Sequence, residues 1–534
     1  MVIIKMKLKY CLMILLLLCL CGSAYASDVN STDAYSAQDA DFAVNAHEQA
    51  VSDNLISVEE TNDLNVSSNN DVLSSSDGES VLGDDGDVYF DASIIDESMS
   101  NGTKEYPFKY LTDDRIVGAV NIYLANGTYE FITSDPSYPV MQFDGVNIIG
   151  EDRDNTFISG GESQSVFLSD SLITNLTIHD MASAAFSSLT FDNVVVNSIF
   201  ALGGSFIFKN SKFVDGVGMP SEAGSAGGVI FCQDSGFGIN LYLNNCSFTN
   251  NNADYGGVIY MAGGSLTMDD CSFEKNTAEK GGVIFADSGN VVINNCSFVN
   301  NNATCGGVIQ MIGGSLTIDN NSAFINNTAK YYGGAVYCLN VDDLKICNSR
   351  FEDNTAVFNA GGALYIQNIT STVTIENTNI TGSNALMGGA IAFLESSVQI
   401  FRSNFKKNNA TYGGAVYTIY TGIGIYDSYF TESTALKGGA VFLDMTNSDV
   451  DSTFIKNSAD IGGAIYAFDG DNDLEGSVFE DNTALIEPDV YETDKLNLTV
   501  YDEGDYPLYV YNSSYEGSLQ ERYDLFEHGF DTSS

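Results

Sequence analysis

The sequence predicts an all-β protein, a right-handed single-stranded parallel β-helix (solenoid) of about ten or more coils with a period of about 25 residues. The prediction rests on two motifs that share one period and on a short alternating segment before one of them. The first motif is a Gly-Gly pair followed by a small or branched residue, an aliphatic residue and often an aromatic residue. Its first glycines are Gly227, Gly256, Gly281, Gly306, Gly333, Gly361, Gly388, Gly413, Gly438 and Gly462, and from Gly256 onward the steps are 25, 25, 27, 28, 27, 25, 25 and 24 residues.

The second motif, Phe-x-x-Asn, lies between the Gly-Gly pairs. It begins at Phe248, Phe273, Phe298, Phe324, Phe351, Phe405, Phe454 and Phe479. Alternating segments such as Leu266-Thr267-Met268 and Leu316-Thr317-Ile318 lead into it, and such alternation is typical of a strand with one buried face. Each repeat should therefore supply about three short strands. The Gly pairs and Asn-rich turns interrupt every window long enough for an α-helix, which disfavours a helical solenoid.

One coil cannot bury its inward face alone. Stacking coils about 4.8 Å apart pairs each strand with its equivalent in the next coil and closes a continuous core. We expect the Gly-Gly pairs to adopt positive φ and to allow close backbone approach. We expect the motif asparagines to occupy left-handed corners and to hydrogen-bond from coil to coil. The motif phenylalanines should stack inward as a ladder.

Three cysteines, Cys246, Cys271 and Cys296, stand two positions before the motif phenylalanines. Neighbouring coils place such residues within disulfide reach, so disulfides and buried thiols are both open. Seven cysteines follow the N-terminal segment, and an odd number leaves at least one unpaired. We favour buried thiols that act as small apolar residues. No histidine accompanies them, which argues against a metal site.

The ends of the chain differ from the repeats. Residues 1–26 have the charge and apolar pattern of a signal peptide, with cleavage expected between Ala26 and Ser27. Residues 27–86 form an acidic Ser/Asn-rich leader with too few large apolar side chains to fold. The β-helix is expected over 87–484, with an N-terminal cap region at about 87–130, a short helix at about 112–119 and regular repeats at about 203–484. Residues 485–534 lose the period and are expected to form a C-terminal cap or tail.

Charge and targeting narrow the function classes. The chain has 534 residues, 71 acidic against 21 basic, for a formal net charge of −50. Such a surface repels phosphate backbones and excludes nucleic-acid binding. We expect no cofactor and no metal site, with loosely bound Ca²⁺ as the most that the charge allows. Sequons such as those at Asn245, Asn302, Asn326, Asn368 and Asn409 agree with export and permit glycosylation. The mature chain should be secreted, extracellular or attached to the cell envelope, without a transmembrane segment.

The Gly-Gly-Ala-Val-Tyr and Phe-x-x-Asn pair resembles the polymorphic outer membrane protein repeat of chlamydial autotransporters. The chain is similar still more closely to adhesin-like surface proteins of methanogenic archaea, whose β-helix opens with segments like Tyr106–Leu111 and Ile122–Tyr129. The resemblance covers about residues 87–484. It implies a pectin-lyase-like right-handed β-helix that projects from the cell envelope and contacts other cells or matrix. The sequence departs from the autotransporters because only about fifty residues follow the last Phe-x-x-Asn, too few for a membrane β-barrel.

A binding surface is predicted on the aromatic residues of the Gly-Gly motif. If the aliphatic residue before each aromatic points inward, alternation directs the aromatic outward, where a row of rings could stack on glycans or anchor proteins of other cells. The opposite orientation, with the aromatics in the inner stack and the aliphatics facing out, is also open. We call this row the aromatic stripe, and it comprises Phe231, Tyr260, Phe285, Tyr337, Tyr365, Tyr417, Phe442 and Tyr466.

The favoured function is therefore a non-catalytic, adhesin-like surface rod. The first alternative is a polysaccharide lyase or glycoside hydrolase on the same fold, which needs clustered carboxylates with a base or calcium. Acidic residues cluster at Asp342-Asp343 and at Asp469–Asp473, and His179 is the lone histidine of the repeats, yet no pattern assembles them into a catalytic set. We therefore expect no enzyme activity. The second alternative is a passive envelope coat, and burial of the aromatic stripe would favour this hypothesis.

Overall fold

A computed structural model of the protein describes residues 86–493, with gaps at 113–114, 133–140, 160–164, 222–223 and 235–237. The expected signal peptide and cleavage site, nearly all of the expected leader and the tail from residue 494 lie outside the described residues. What is described is a parallel β-solenoid of about 13 turns. Within this part of the chain, no helix is both long and apolar enough to cross a membrane.

The first coils are built from strands of uneven length. They are β1 (Asp87–Phe90), β2 (Leu111–Thr112), β3 (Asn121–Leu124), β4 (Gly127–Ile132), β5 (Met141–Asp144), β6 (Asn147–Gly150), β7 (Thr156–Ser159), β8 (Ser165–Ser169), β9 (Leu172–Thr174), β10 (Thr177–Asp192) and β11 (Val195–Lys209). The prediction of a short helix at 112–119 is wrong. Its described residues form a strand end and a turn, which the backbone N–H of Ala119 closes by donating to Ile116 at 3.0 Å.

The regular coils carry three stacked strands each, as the sequence predicts. The stack of strands that carries the motif phenylalanines is called ladder C, and its first separate strand is β12 (Lys212–Val214). The hairpin β13 (Met219–Ser221) and β14 (Gly224–Ala226) follows before the repeats begin. Ladder A, after the Gly-Gly pairs, contains β15 (Ile230–Gln233), β18 (Ile259–Ala262), β22 (Ile284–Asp287), β26 (Ile309–Ile312), β30 (Val336–Leu339), β34 (Leu364–Gln367), β37 (Ile391–Leu394), β40 (Val416–Ile419), β42 (Val441–Asp444), β44 (Ile465–Phe468) and β47 (Val490–Thr493). The last of these pairs with β44, so the described start of the expected tail continues the solenoid.

Ladder B holds the alternating segments and ladder C the motif phenylalanines. Ladder B contains β16 (Ile239–Asn244), β19 (Ser265–Asp269), β23 (Asn290–Asn294), β27 (Ser315–Asp319), β31 (Asp343–Cys347), β35 (Thr372–Glu376), β38 (Ser397–Phe401) and β45 (Asn472–Asp473). Ladder C continues with β17 (Ser247–Thr249), β20 (Ser272–Glu274), β24 (Ser297–Val299), β28 (Ala323–Ile325), β32 (Arg350–Glu352), β36 (Asn379–Thr381), β39 (Asn404–Lys406) and β46 (Val478–Glu480). Two long strands, β41 (Gly422–Thr431) and β43 (Asn447–Ile455), serve ladders B and C together.

The core lies inside the coils and follows the alternation in each strand. In ladder B every second residue is buried and paired in register with its equivalent, from Leu243 through Met268 and Ile293 to Ile318. In ladder C the motif phenylalanines from Phe248 to Phe351 are fully buried and stack with ring centroids 4.6 to 4.8 Å apart. The predicted phenylalanine ladder is confirmed. It is continuous from Phe248 to Phe351, and Ile380 takes the equivalent position between Phe351 and Phe405.

The motif asparagines form a buried stack directly after ladder C. Nδ2 of Asn276 donates to Oδ1 of Asn301 at 3.0 Å and to the backbone oxygen of Phe248 at 3.1 Å. Its Oδ1 accepts the backbone N–H and Nδ2–H of Asn251 at 3.0 and 2.9 Å. Such an amide is fully satisfied although it has no contact with water. The coil-to-coil bonds predicted for these asparagines are confirmed.

The sequence predicted left-handed backbone at these asparagines, and this prediction is wrong by one residue. Positive φ belongs to the residue just before each stacked asparagine, for example Asn250 at 59°, Lys275 at 55° and Asn300 at 57°. This preceding residue turns the corner in solvent, and the turn directs the following asparagine side chain into the interior. Because the corner needs only a tolerant backbone, it accepts lysine as well as asparagine and aspartate.

The three cysteines before the phenylalanines occupy a column of small hydrogen-bonding side chains. Sγ of Cys271 donates to the backbone oxygen of Asp269 at 3.2 Å, and in a later coil Oγ of Ser403 makes the same bond to Phe401 at 2.8 Å. Cysteine thus replaces serine at an equivalent position. All seven described cysteines are buried free thiols, which agrees with the role that the sequence favours for them.

The two glycines of each pair have different tasks. Gly333 has a φ of +60°, and a Cβ there would lie 2.1 Å from the backbone oxygen of Val336. Gly334 lacks a positive φ, but its Cβ would lie 2.0 Å from the backbone oxygen of Gly362 in the next coil. The first glycine supplies the predicted positive φ at the turn, and the second permits the predicted close approach of the next coil. Both predicted features are confirmed, but they belong to different glycines of the pair. The connection that leads from the stacked asparagine to this turn is called segment D below.

Candidate aromatic binding site

The aromatic stripe lies on the outward side of ladder A. Ile259 and Met261 belong to the central core, whereas Tyr260 between them does not. Stripe residues stack in the first and last coils, with ring centroids 4.9 Å apart for Phe231 and Tyr260 and 4.7 Å for Phe442 and Tyr466. Gln310 and Ala392 take the stripe position in two coils between them. Of the two orientations left open by the sequence, the structure has the aliphatic residues inside.

Facing outward does not leave the whole stripe exposed. Tyr417, Phe442 and Tyr466 are 2%, 0% and 2% exposed, and Phe285 and Tyr365 are 7% and 6% exposed. Phe231, Tyr260 and Tyr337 are half-buried. The stripe is therefore mostly a second apolar layer and not a continuous exposed surface.

Segment D forms part of the cover. In several coils the residue just before the Gly-Gly pair packs on the stripe: the Tyr255 ring meets Phe285 edge-on at 5.4 Å, and Tyr412 meets Phe442 likewise at 5.7 Å. In four successive coils segment D pairs as a small parallel sheet, β21 (Thr277–Lys280), β25 (Asn302–Cys305), β29 (Thr328–Tyr332) and β33 (Thr355–Ala356). The Gly-Gly turn folds this sheet back over ladder A.

Two consecutive D segments are longer than their neighbours. From the stacked asparagine to the next Gly-Gly pair the chain takes five residues in most coils, but six from Asn327 to Gly333 and seven from Asn354 to Gly361. The register confirms the insertion, since Ala303 pairs with Ala329 while Cys305 pairs with Tyr332. Insertions in solenoid repeats map to loops on one face, often the binding face.

The added residues build an aromatic patch, defined here as Lys330, Tyr331, Tyr332, Val357 and Phe358. Val357 and Phe358 are 50% and 39% exposed, and Lys330 is exposed. Backbone N–H groups of Val357 and Phe358 donate to Ala329 and Lys330, both at 3.0 Å, so the two bulges hold each other in place.

The rings of the patch continue into the stripe. Tyr331 lies 6.1 Å from Phe358, and Nζ of Lys330 lies 4.7 Å from the Tyr331 ring centroid. Tyr332 contacts Tyr365 at 4.6 Å and Tyr337 at 5.9 Å. Stripe residues therefore support the patch from beneath, while Val357, Phe358 and Lys330 face outward. The 27-residue step to Gly333 and the 28-residue step to Gly361 contain these longer segments, but the sequence analysis did not assign the extra residues to a surface.

The residues considered for catalysis lie in separate coils. His179 stacks on Phe157 at 5.0 Å in β10, Asp342-Asp343 lie at the start of β31, and Asp469–Asp473 lie between β44 and the end of β45. Among the described residues, no three His, Cys, Asp or Glu side chains are grouped so as to hold a metal ion. These positions do not form one site.

A shallow cavity in the early coils also carries charged groups. It has a volume of about 260 Å³ and is lined by Glu151, Asp152, Arg153, Asp154, Asn175 and Asn193. The backbone N–H of Asp154 holds the pKa of the Asp152 carboxyl below its usual value, so this group stays ionised and is a poor general acid near neutral pH. That the chain is not an enzyme remains a prediction.

Solved structures with a similar chain path come from two enzymes of Azotobacter vinelandii. The A-module of the mannuronan C-5 epimerase AlgE6 aligns over 70% of this chain and 91% of its own, with 11% identity and a TM-score of 0.21. The A-module of the epimerase AlgE4 aligns over 71% and 92%, with 11% identity and a TM-score of 0.16. A comparison of the whole sequence with curated proteins gives no match.

Family models match two parts of the repeats. Residues 451–467 match the Chlamydia polymorphic membrane protein repeat, which confirms the repeat resemblance stated from the Gly-Gly and Phe-x-x-Asn motifs. Residues 172–340, which include β10, β11 and the lengthened segment D of β29, match the right handed beta helix region. The chain therefore carries a right-handed parallel β-helix with repeats of the polymorphic membrane protein type.

Proposed function

We propose that the chain is a non-catalytic protein of the cell surface, adhesin-like in role, that contacts glycans of other cells through the aromatic patch. The observation that carries the proposal is the pair of lengthened D segments, which expose Val357 and Phe358 beside an aromatic stripe whose own rings are mostly covered. Surface display is supported by the matched repeat, whose family is named for membrane proteins of Chlamydia. The kinship with surface proteins of methanogenic archaea stays part of this proposal.

The chemistry of the patch fits a sugar chain. Aromatic and aliphatic groups pack against the C–H face of a sugar ring, and hydroxyl and amide side chains bond its edges. Thr328, Thr355 and Asn384 supply such groups, because they occupy one row of paired positions along segment D beside the patch. Lys330 adds a positive charge in a strongly acidic chain, which favours sugars that carry carboxylate groups.

The test compares the mature full-length chain with a variant in which Val357 and Phe358 are both changed to Ser. Binding to a panel of neutral and uronate-containing glycans and to intact cells is measured by surface plasmon resonance and by cell pull-down. We expect the variant to lose at least about tenfold in affinity, since exposed aromatic anchors dominate contacts of this kind. Lys330→Ala should weaken binding of uronate-containing glycans more than of neutral ones.

The matched control is Tyr429→Ser, which removes a more accessible ring, 53% exposed against 39% for Phe358, from ladder C. This control should bind like the original protein. Equal binding by the Val357/Phe358 variant, with circular dichroism unchanged, would place the contact elsewhere. Labelling of intact cells with a membrane-impermeant amine reagent tests surface display separately, and a chain protected from the reagent would contradict it.

A passive coat is the second candidate, and the burial of most of the stripe favours it. A spacer needs no exposed apolar row, and Phe285, Tyr365, Tyr417, Phe442 and Tyr466 do not provide one. If neither the original protein nor its variants bind any glycan or cell while surface labelling succeeds, the coat is the better description.

A further inference from the structure

We propose that six exposed asparagines of the solenoid are acceptor sites for N-linked glycans. They are Asn245, Asn295, Asn320, Asn326, Asn368 and Asn409. The inference rests on the surface display proposed above, because the glycan donor meets only exported chains. It concerns a different chemistry from the aromatic patch and has its own readout.

The six asparagines share one local geometry. All are exposed, and all but Asn409 lie at corners with φ between 47° and 54°. Each donates one Nδ2–H to a side-chain oxygen one coil earlier. The acceptors and distances are Asn210 at 2.7 Å, Asp270 at 2.6 Å, Asn294 at 3.0 Å, Asn300 at 2.5 Å, Asn340 at 2.6 Å and Asn384 at 2.7 Å, in the same order.

This geometry leaves room for a glycan without loss of the coil contact. A side-chain amide nitrogen carries two hydrogens, and the bond to the neighbouring coil uses one. Replacing the other by the C1 carbon of a sugar keeps the bond and directs the sugar to solvent. At all six positions a serine or threonine stands two residues after the asparagine, which gives the acceptor pattern Asn-x-Ser/Thr.

The buried asparagine stack shows the contrast. Asn276 uses both hydrogens of Nδ2, one to Asn301 and one to Phe248, so no hydrogen is available for replacement. Each stacked motif asparagine is followed two residues later by alanine and not by a hydroxyl residue. These alanines are Ala253, Ala278, Ala303, Ala329, Ala356, Ala410, Ala459 and Ala484. At these six corners and strand ends the acceptor pattern occurs where the fold tolerates a sugar, and it is missing from all eight stacked asparagines.

The reaction requires a co-reactant of a defined class, a sugar bound through C1 to a lipid-linked phosphate, and a membrane transferase. The Nδ2–C1 bond forms while the bond from C1 to the phosphate oxygen breaks. The electron pair leaves with the lipid phosphate, and Nδ2 gives one proton to a base of the transferase. No oxidant or reductant is involved.

The test uses the full chain recovered from the surface of its own cells. Glycopeptide mass spectrometry with electron-transfer fragmentation should show added sugar mass at the six asparagines. Asn348 is the internal control, because it is exposed at an equivalent corner with φ 46° and donates to Asp319 at 2.8 Å, yet Arg350 stands where the acceptor hydroxyl would be. It should be unmodified.

Two variants make the test reciprocal. Ser297→Ala removes the hydroxyl of the Asn295 site and should abolish its sugar without touching the asparagine. Arg350→Ser creates Asn348-Ser-Ser and places a serine where Ser247, Ser272 and Ser297 stand in ladder C, so Asn348 should gain a sugar. Unmodified peptides at all six sites in a surface-labelled protein would overturn this inference alone. Failure of surface labelling would instead overturn the proposed function.

Discussion

At the scale of single residues, burial decides the chemistry of the thiols. Cys232 and Cys338 are fully buried, and this burial raises the pKa of each thiol from its usual 9.0 to about 12. Only the thiolate reacts with alkylating and disulfide reagents. These side chains therefore behave as small apolar residues near neutral pH.

We expect Cys232 and Cys338 to resist maleimide at pH 8 in the native protein and to react fully in guanidinium chloride. Peptide mass spectrometry after timed labelling checks this expectation. Labelling of either thiol in native buffer at the rate of a small free thiol would show that the coil opens or that the thiol is accessible.

Alkaline pH should destabilise the fold through the same groups. Their pKa is higher in the folded than in the unfolded chain, and Tyr129 adds a further group whose pKa burial raises from 10.0 to about 12. The stability they contribute is complete below about pH 9 and is lost as pH rises toward 12, because the unfolded chain releases their protons first. Melting temperatures measured between pH 7 and 11 should fall above pH 9, and less steeply in Cys338→Ala. A flat profile would contradict the assignment.

At the scale of elements, the asparagine stack joins coils through bonds parallel to the solenoid axis. It is interrupted where serine replaces asparagine, at Ser383 and Ser433, and each Oγ there is buried without a hydrogen-bond partner among the described atoms. Their backbone N–H groups still donate to Asn408 and Asn457 at 3.0 Å. Each serine therefore leaves the stack bonded on one side only.

Completing the stack should stabilise the protein. Ser433→Asn restores the amide that Asn408 faces and should raise the free energy of unfolding by about 1 kcal/mol, the usual net value of such a bond. The mirror variant Asn301→Ser removes the acceptor of Asn276 and should cost about 2 kcal/mol, because it leaves buried donors unpaired. Urea denaturation of both variants checks the signs, and destabilisation by Ser433→Asn would show that the serine site is already filled by water.

The same elements show what the sequence predicted and why the rest escaped it. The phenylalanine ladder and the inward Ile259 follow from local alternation, which residue order contains. The positive φ of Lys275, expected instead at Asn276, was missed because asparagine suits both a left-handed corner and a buried stack. The cover on Phe442 was missed because it depends on Tyr412, which reaches it only after the Gly-Gly turn folds segment D over ladder A.

At the scale of the whole solenoid, each coil contacts mainly the coils before and after it. Stability is then close to a sum of neighbouring interfaces, and damage stays local. Gly334 is a suitable position for a destabilising substitution, because a Cβ there would lie 2.0 Å from the backbone oxygen of Gly362.

We expect Gly334→Val to raise hydrogen exchange in the coils around β29 to β34 and to leave the protection of β42 and β44 near that of the original protein. The control is Gly422→Ala, at a glycine with open space around it and no positive φ, which should not alter exchange anywhere. Uniform loss of protection along the repeats in Gly334→Val would show that the solenoid unfolds as one cooperative unit.

The in-register pairing has a consequence for how such a chain changes its length. Residues 247, 272 and 297 present the same serine at the same place of successive coils, so every coil offers its successor an equivalent docking edge. Deleting the 25 residues from Gly256 to Lys280 would let the following coil join the preceding one with all three ladders intact. Unequal recombination between repeats can therefore lengthen or shorten the solenoid in whole coils. The aromatic patch would then move along the axis in steps of about 4.8 Å. The contacts between neighbouring coils would stay of the same kind.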